Sequence, residues 1–187
     1  MNQAGGQPKN RAFLLPTSDD KLQRRRVGVP PTPRFCPGRS LMSKQSIIYG
    51  YIQGAEWMAS DPHRLHRLNA QAIAGLPDTD VFPHLSRGMF AVPGEDLQQA
   101  GSRLQVIHFG ASMYEVELEW RKWLEKFEAL LRRLYWFNAT VHLRAEVLGD
   151  FQYDWTVDAN QIVHFFNDSP KPATKWFFDG GPRDFEF

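Results

Sequence analysis

Cysteine is nearly missing. Among 187 residues only Cys36 carries a thiol, which excludes an internal disulfide framework and any zinc site built mainly from cysteine. Long apolar runs are missing too, so no stretch reads as a transmembrane helix. Ala12 to Leu15 is too short to form the apolar core of a signal peptide. Gly94 and Gly101 lack both the spacing and the following lysine of a phosphate-binding loop. No serine stands in a nucleophile elbow, and Cys36 lies in a proline-rich stretch with no base fixed beside it. Secreted disulfide scaffolds, membrane spans, P-loop enzymes and the commonest nucleophilic hydrolases all drop out. A cytoplasmic protein without a cofactor or a metal is expected.

The near-neutral total, a formal charge of +1, hides a division. Residues 1–41 carry eight Lys or Arg against two Asp, whereas residues 42–187 carry fourteen against nineteen Asp or Glu. All six Trp and all six His fall in the second part, and six of the thirteen prolines fall in the first. Residues 1–41 therefore read as a disordered, basic, Pro-rich tail with too little apolar surface to offset the entropy of ordering. Met42-Ser43-Lys44, just ahead of the first strand, reads as a translation start, which would make 1–41 a non-native upstream extension. Two other readings of the tail are a nucleic-acid-binding arm built around Arg24-Arg25-Arg26 and an organelle-targeting segment. The acidic pair Asp19-Asp20 and the prolines speak against targeting. Residues 42–187 read as a single acidic domain.

The clearest periodicity runs from Ser112 to Leu134. At 100° per residue, Met113, Val116, Trp120, Trp123, Leu124, Phe127, Leu130, Leu131 and Leu134 share one stripe with no charge inside it. Ser112 and Glu115 have capping-box spacing, and Glu117 with Arg121 and Glu128 with Arg132 are spaced for surface ion pairs. Such a stripe needs a broad partner, most simply a sheet.

Ser46–Gln53 reads as a central strand, and Gly50 within it as a point of close approach. Asp61-Pro62 opens a helix that Gly75 stops, with Leu65, Leu68, Ala72 and Ile73 inward. Strands follow at 88–92 and 104–109, with Gly110-Ala111 turning the second into the long helix. A hairpin follows that helix. Matching the alternation of its arms across a loop at Leu148-Gly149-Asp150 pairs Leu143 with Trp155 and Arg144 with Asp154. A last strand is expected at 161–166, then an irregular aromatic C-terminus. The chain is thus expected to be α+β: a single domain, an antiparallel sheet with two helices packed on it, in ferredoxin-like βαββαβ order extended by extra C-terminal strands.

Catalytic candidates are scattered. His63 and His66 lie three apart on the first helix, but Arg64 and Arg67 beside them oppose a metal ion, so both read as part of a solvated face. His108 reads as a strand histidine bonded to a backbone carbonyl. His142 lies on the polar side of the hairpin and His164 on the last strand. Asp78 and Asp80 read as a solvated turn. An enzyme would have to gather His108, His142 or His164 with a carboxylate in one pocket.

Three stretches carry a resemblance: Ile47-Ile48-Tyr49-Gly50-Tyr51-Ile52, then Val106-Ile107-His108-Phe109-Gly110-Ala111-Ser112 entering a Trp-rich helix, and the exit Leu134-Tyr135-Trp136. Over residues 42–180 the chain resembles small bacterial immunity proteins of polymorphic or Rhs-type toxin systems. The resemblance implies a non-enzymatic protein that binds one cognate toxin domain and occludes it, with no catalytic residues to carry over. An acidic domain suits a basic toxin, since opposite charge speeds association. On this reading Glu146 and Asp154 of the hairpin, with Trp176, Phe178 and Asp179 of the C-terminal segment, are the candidate partner-binding residues. The alternatives are a small enzyme with a site of scattered His and acidic residues, and a nucleic-acid-associated protein using the basic tail.

Overall fold

The computed structural model describes residues 44–56, 59–94, 105–162, 165 and 170–187, all within one compact unit spanning 39–187. The tail expected at 1–41, Cys36 and His164 lie outside the described residues. Six strands form one antiparallel sheet: β1 (Gln45–Gly54), β2 (Phe90–Ala91), β3 (Val106–Tyr114), β4 (Trp136–Ala145), β5 (Gly149–Val157) and β6 (Trp176–Gly180). Three α-helices are described: α1 (Pro62–Ala74), α2 (Trp120–Leu131) and the single turn α3 (Ala159–Ile162). The sheet order is β2-β3-β1-β4-β5-β6. Its first four strands interleave two βαβ units, β1-α1-β2 around β3 and β3-α2-β4 around β1, which is the split βαβ order. β5 and β6 extend that order beyond β4.

β1 is central, bonded to β3 on one side and β4 on the other. Gly50 is the close approach that its place in an apolar strand implied. A Cβ there would meet the Thr140 carbonyl oxygen at 2.1 Å and the Phe109 ring at 2.7 Å. On the helical side, Ile48, Ile52, Ile107, Val141, Leu143, Tyr153 and Trp155 are sealed. Against them α2 lays Trp120, Trp123, Leu124, Phe127, Leu130 and Leu131, all buried. Trp120 stacks on Trp123 and Trp123 on Phe127, each about 5 Å between ring centres. The expected stripe is therefore the one that faces inward.

The start of that helix is not where the capping motif put it. β3 runs on through Gly110, Ala111 and Ser112 to Tyr114, because those residues have a ready ladder opposite Tyr49, Ile48 and Ile47. Glu115 then takes a left-handed turn at φ 52° and a 3-10 turn over Val116–Glu119 leads into α2. Ser112 caps nothing; its hydroxyl meets the Gln45 amide across the ladder. The expected surface pairs give way to tertiary partners. The Glu117 carboxylate is buried and accepts from the Ser46 hydroxyl at 2.6 Å. The Glu128 carboxylate accepts from Trp155 Nε1 and from Arg183. Arg121 reaches Asp184, and the Arg132 guanidinium lies 5.0 Å over the Trp176 ring.

The hairpin register is also corrected. Leu143 pairs with Phe151 and Arg144 with Asp150, and the loop is Glu146-Val147-Leu148. The expected pairing lies four residues away, an even shift, so the apolar side chains that stay in the strands keep their face, while Val147 passes into the turn and is exposed. Alternation specifies a face; the turn specifies register. Here Gly149, at φ +92°, supplies a conformation that residues with a Cβ rarely adopt, and it pulls the turn forward. Residues 161–162, expected to open a strand, end a helical turn. The Asp158 carboxylate accepts from the Asn160 amide and its carbonyl from the Gln161 amide. The sixth strand comes later, at Trp176–Gly180, in the segment expected to be irregular.

Candidate binding surface

The side of the sheet away from α1 and α2 carries no helix among the described residues. Its side chains form a grid set by the registers. One row runs Ser112, Ile47, Arg144, Asp150; the next Gly110, Tyr49, His142, Gln152; the third His108, Tyr51, Thr140, Asp154, Asp179; the fourth Gln53, Asn138, Thr156, Phe177. Tyr114 lies opposite Gln45 at the β1–β3 end. Ile47 is 44% exposed, Tyr49 48%, Tyr114 62% and Phe177 67%, so large apolar groups face solvent on β1, β3 and β6. Tyr49 stacks on His142 with ring centres 4.8 Å apart and planes 17° apart. Gly110 beside Tyr49 has no side chain, which leaves that ring standing clear. Exposed apolar groups of this size on one face mark interaction surfaces more often than chance exposure does.

Acid gathers toward β5 and β6. Asp154 accepts the Thr140 hydroxyl on one oxygen and the Gln152 amide on the other, both at 2.7 Å. Directly across the next ladder stands Asp179. Two carboxylates opposite one another on neighbouring strands oppose folding. At the hairpin end, Gln45, Ile47, Arg144, Ala145, Glu146, Gly149 and Asp150 line an open groove of about 550 Å³. Glu146 sits on its rim and accepts from the Gln45 amide at 3.3 Å, while Arg144 and Asp150 approach to 3.7 Å across it.

The five residues expected to bind a partner are thus divided. Asp154 and Asp179 meet as neighbours on the uncovered face, and Glu146 borders its groove. Trp176 and Phe178 point to the helical side, half-buried, against Trp136 and Trp155 respectively. Strand alternation puts Phe177, passed over in the sequence, on the uncovered face instead.

Among the described residues, His108 and His142 do not converge on a carboxylate. His108 is exposed on β3, His142 is stacked on Tyr49, and His63 is exposed on α1. His66, expected on a solvated face, is buried, because the inward arc of α1 centres on Leu65, Asn69 and Ile73 and takes in its neighbour. Among the described residues no group of three His, Cys, Asp or Glu side chains is placed to hold a metal ion. Asp78 and Asp80 are built into a fixed loop rather than a free turn. Asp78 pairs with Arg87, and Asp80 accepts from the Val81 and Leu85 amides and from Lys126. Lys126 also donates to the carbonyls of Val81 and Pro83. Burial opposes ionisation of Asp80, yet Lys126 and the two amides outweigh it and hold the carboxyl below its ordinary value.

The most perturbed acid lies at the end of the sheet. Burial pushes the Glu56 carboxyl up to about 7. One oxygen accepts from Asn69 Nδ2 at 3.0 Å; the other lies against Gly54, where a Cβ would stand 1.9 Å from it. Asn69 also clasps Tyr135, donating to its carbonyl and accepting from its amide. The group joins β1, α1 and the entry to β4. With Glu56 only 3% exposed, it serves as a buried tie. Sequence reasoning passed over both residues, although one signal was present: Asn69 occupies the position between Leu65 and Ile73 at spacing four on the apolar side of α1.

Comparison with protein-family models, with curated proteins and with solved structures finds no match to this chain.

Proposed function

We propose that the uncovered sheet face is a protein-docking surface, and that the protein is a non-enzymatic inhibitor that neutralises a cognate bacterial toxin by occluding it. The observation that carries this reading is the face itself: Ile47, Tyr49, Tyr114 and Phe177 stand open, flanked by Glu146, Asp150 and Asp154. Aromatic anchors surrounded by charge are how interfaces concentrate their energy. The acids favour a basic partner and speed its approach. Residues 42–187 carry more acid than base, which suits the same partner. The toxin identity rests on the family resemblance.

A nucleic acid fits the same face less well. The outward rings of Tyr49 and His142 offer a stacking platform. Phosphates, however, would meet Asp150 and Asp154 with only Arg144 as a cation in those rows.

The test is to find a toxin domain encoded beside the gene and co-express it with Tyr49→Asp. Its thermal midpoint should match wild type while protection from the toxin is lost. Protection by Tyr49→Asp equal to wild type would remove the face from the reading. Binding of single-stranded oligonucleotide, weakened by the same substitution, would favour the second ligand.

A further inference from the structure

β6 is the last strand of the sheet, with no neighbour on its far side among the described strands. Its backbone phase can be read from its ends. The Gly181 amide donates to the Gln152 carbonyl at 3.0 Å and the Asp158 amide to the Lys175 carbonyl at 3.3 Å. Bonded pairs alternate along an antiparallel ladder. Residues 175, 177, 179 and 181 therefore turn their backbone groups toward β5. Trp176 and Phe178 turn theirs off the open edge. Such an edge is a template for another strand.

The residues along this edge are complementary to themselves. In chain order they read Lys175, Trp176, Phe177, Phe178, Asp179. Lys175, Phe177 and Asp179 are exposed, Phe177 by 67%. An antiparallel copy centred on Phe177 sets Phe177 against Phe177, and Lys175 of each copy against Asp179 of the other. Trp176 then meets Phe178 of the second copy as a bonded pair, which is the phase their outward backbone groups require. On that helical side Arg183 brings its own counter-ion, Glu128. The two nearest registers do worse. Centring on Phe178 sets Phe177 against Asp179, and centring on Trp176 sets Lys175 against Phe177. The register centred on Phe177 also bears on the Asp154–Asp179 ladder pair. Asp179 has a like charge on one side in the monomer and would gain a lysine on the other.

We propose that two copies of this chain pair through β6 about a two-fold axis at Phe177, joining their sheets into one. The interface is isologous, as a closed dimer requires. It lies at the sheet edge and takes Phe177 from the uncovered face, leaving Ile47, Tyr49 and Tyr114 open to whatever docks there.

The experiment is sedimentation equilibrium of the full chain, wild type and two charge variants. Wild type should be a concentration-dependent dimer. Lys175→Glu places acid against Asp179, and Asp179→Lys places base against Lys175, so each alone should weaken dimerisation by about tenfold. Mixed together they should form a heterodimer, since both cross-strand pairs are then of opposite sign. The double variant Lys175→Glu/Asp179→Lys should dimerise like wild type. Hydrogen exchange locates the contact: the Trp176 and Phe178 amides should gain protection with concentration while the Phe177 and Asp179 amides stay unchanged. A monomeric wild type, single variants that dimerise unchanged, or no heterodimer on mixing would each overturn the proposal.

Discussion

On the helical side of the sheet, Ile48, Ile52, Val141, Leu143, Tyr153 and Trp155 are shut away from solvent. One residue along the same strands, Ile47 and Tyr49 remain nearly half exposed, with Arg144, Gln152 and Asp154 beside them. β1 shows the contrast within a single run, Ile47-Ile48-Tyr49-Gly50-Tyr51-Ile52, where both faces are apolar and only one is covered by helices. A strand apolar on both faces is usual where both faces of a sheet are covered. Here the second face has its apolar groups and no described cover. The difference separates side chains that hold the fold from side chains available to something else.

The sharpest way to break that comparison is to delete one ring from each side. Phe127 is fully buried between Trp123, Phe109 and Trp155. Phe127→Ala should cost about 3–5 kcal/mol of unfolding free energy, as large-to-small changes in packed cores do. Tyr49→Ala should cost no more than about 1 kcal/mol, the size of a lost cross-strand pair with His142. Urea denaturation of both variants checks the pair. Equal losses would mean that the second face is covered after all.

The two faces were not equally legible in the sequence. The stripe of α2 could be read because its partner is broad and every third or fourth residue answers to it. Its start could not, because Gly110 to Tyr114 can serve either a helix or a ladder, and only the presence of β1 alongside decides. Ser112 with Glu115 is a local signal, and a local signal yields when a strand partner is available. The hairpin faces followed from alternation, while the register needed the turn, where Gly149 takes the positive φ. On the candidate surface, alternation alone separates Phe177 from Trp176 and Phe178, but only once β6 is known to be a strand. The tie between Glu56 and Asn69 joins residues thirteen apart through a polar contact that hydrophobic patterning cannot register.

A second test uses the charge that the core does hold. Glu56 has its carboxyl raised from 4.5 to about 7 by burial. The folded chain therefore keeps this proton more tightly than the unfolded chain. The stability linked to it is fully present below about pH 4.5 and is lost as the pH rises through about 7. The whole interval is worth about 3 kcal/mol. Glu56→Gln stays neutral throughout, so its stability relative to wild type should rise by about that amount between pH 4 and 8. Urea midpoints taken at both ends of the range check it. A constant difference would show that the carboxyl ionises freely in the folded protein.

The smallest effect is expected on the uncovered face, where the balance runs the other way. Asp179 and Asp154 stand across from each other on adjacent strands, and the Asp154 oxygens already accept from Thr140 and Gln152. Asp179→Asn removes one like charge without disturbing those two bonds. The monomer should gain about 0.2–1 kcal/mol, the size of a cross-strand charge effect. Salt should erase the gain, because both groups are reached by solvent ions. Dilute protein must be used, since at high concentration the same substitution removes the acid that Lys175 of a second copy would meet. The variant should then unfold at higher urea than wild type when dilute and lose that advantage when concentrated. A gain that persists unchanged at high salt would mean that it arises from something other than repulsion between the two aspartates. A gain independent of protein concentration would leave Asp179 a feature of the monomer alone.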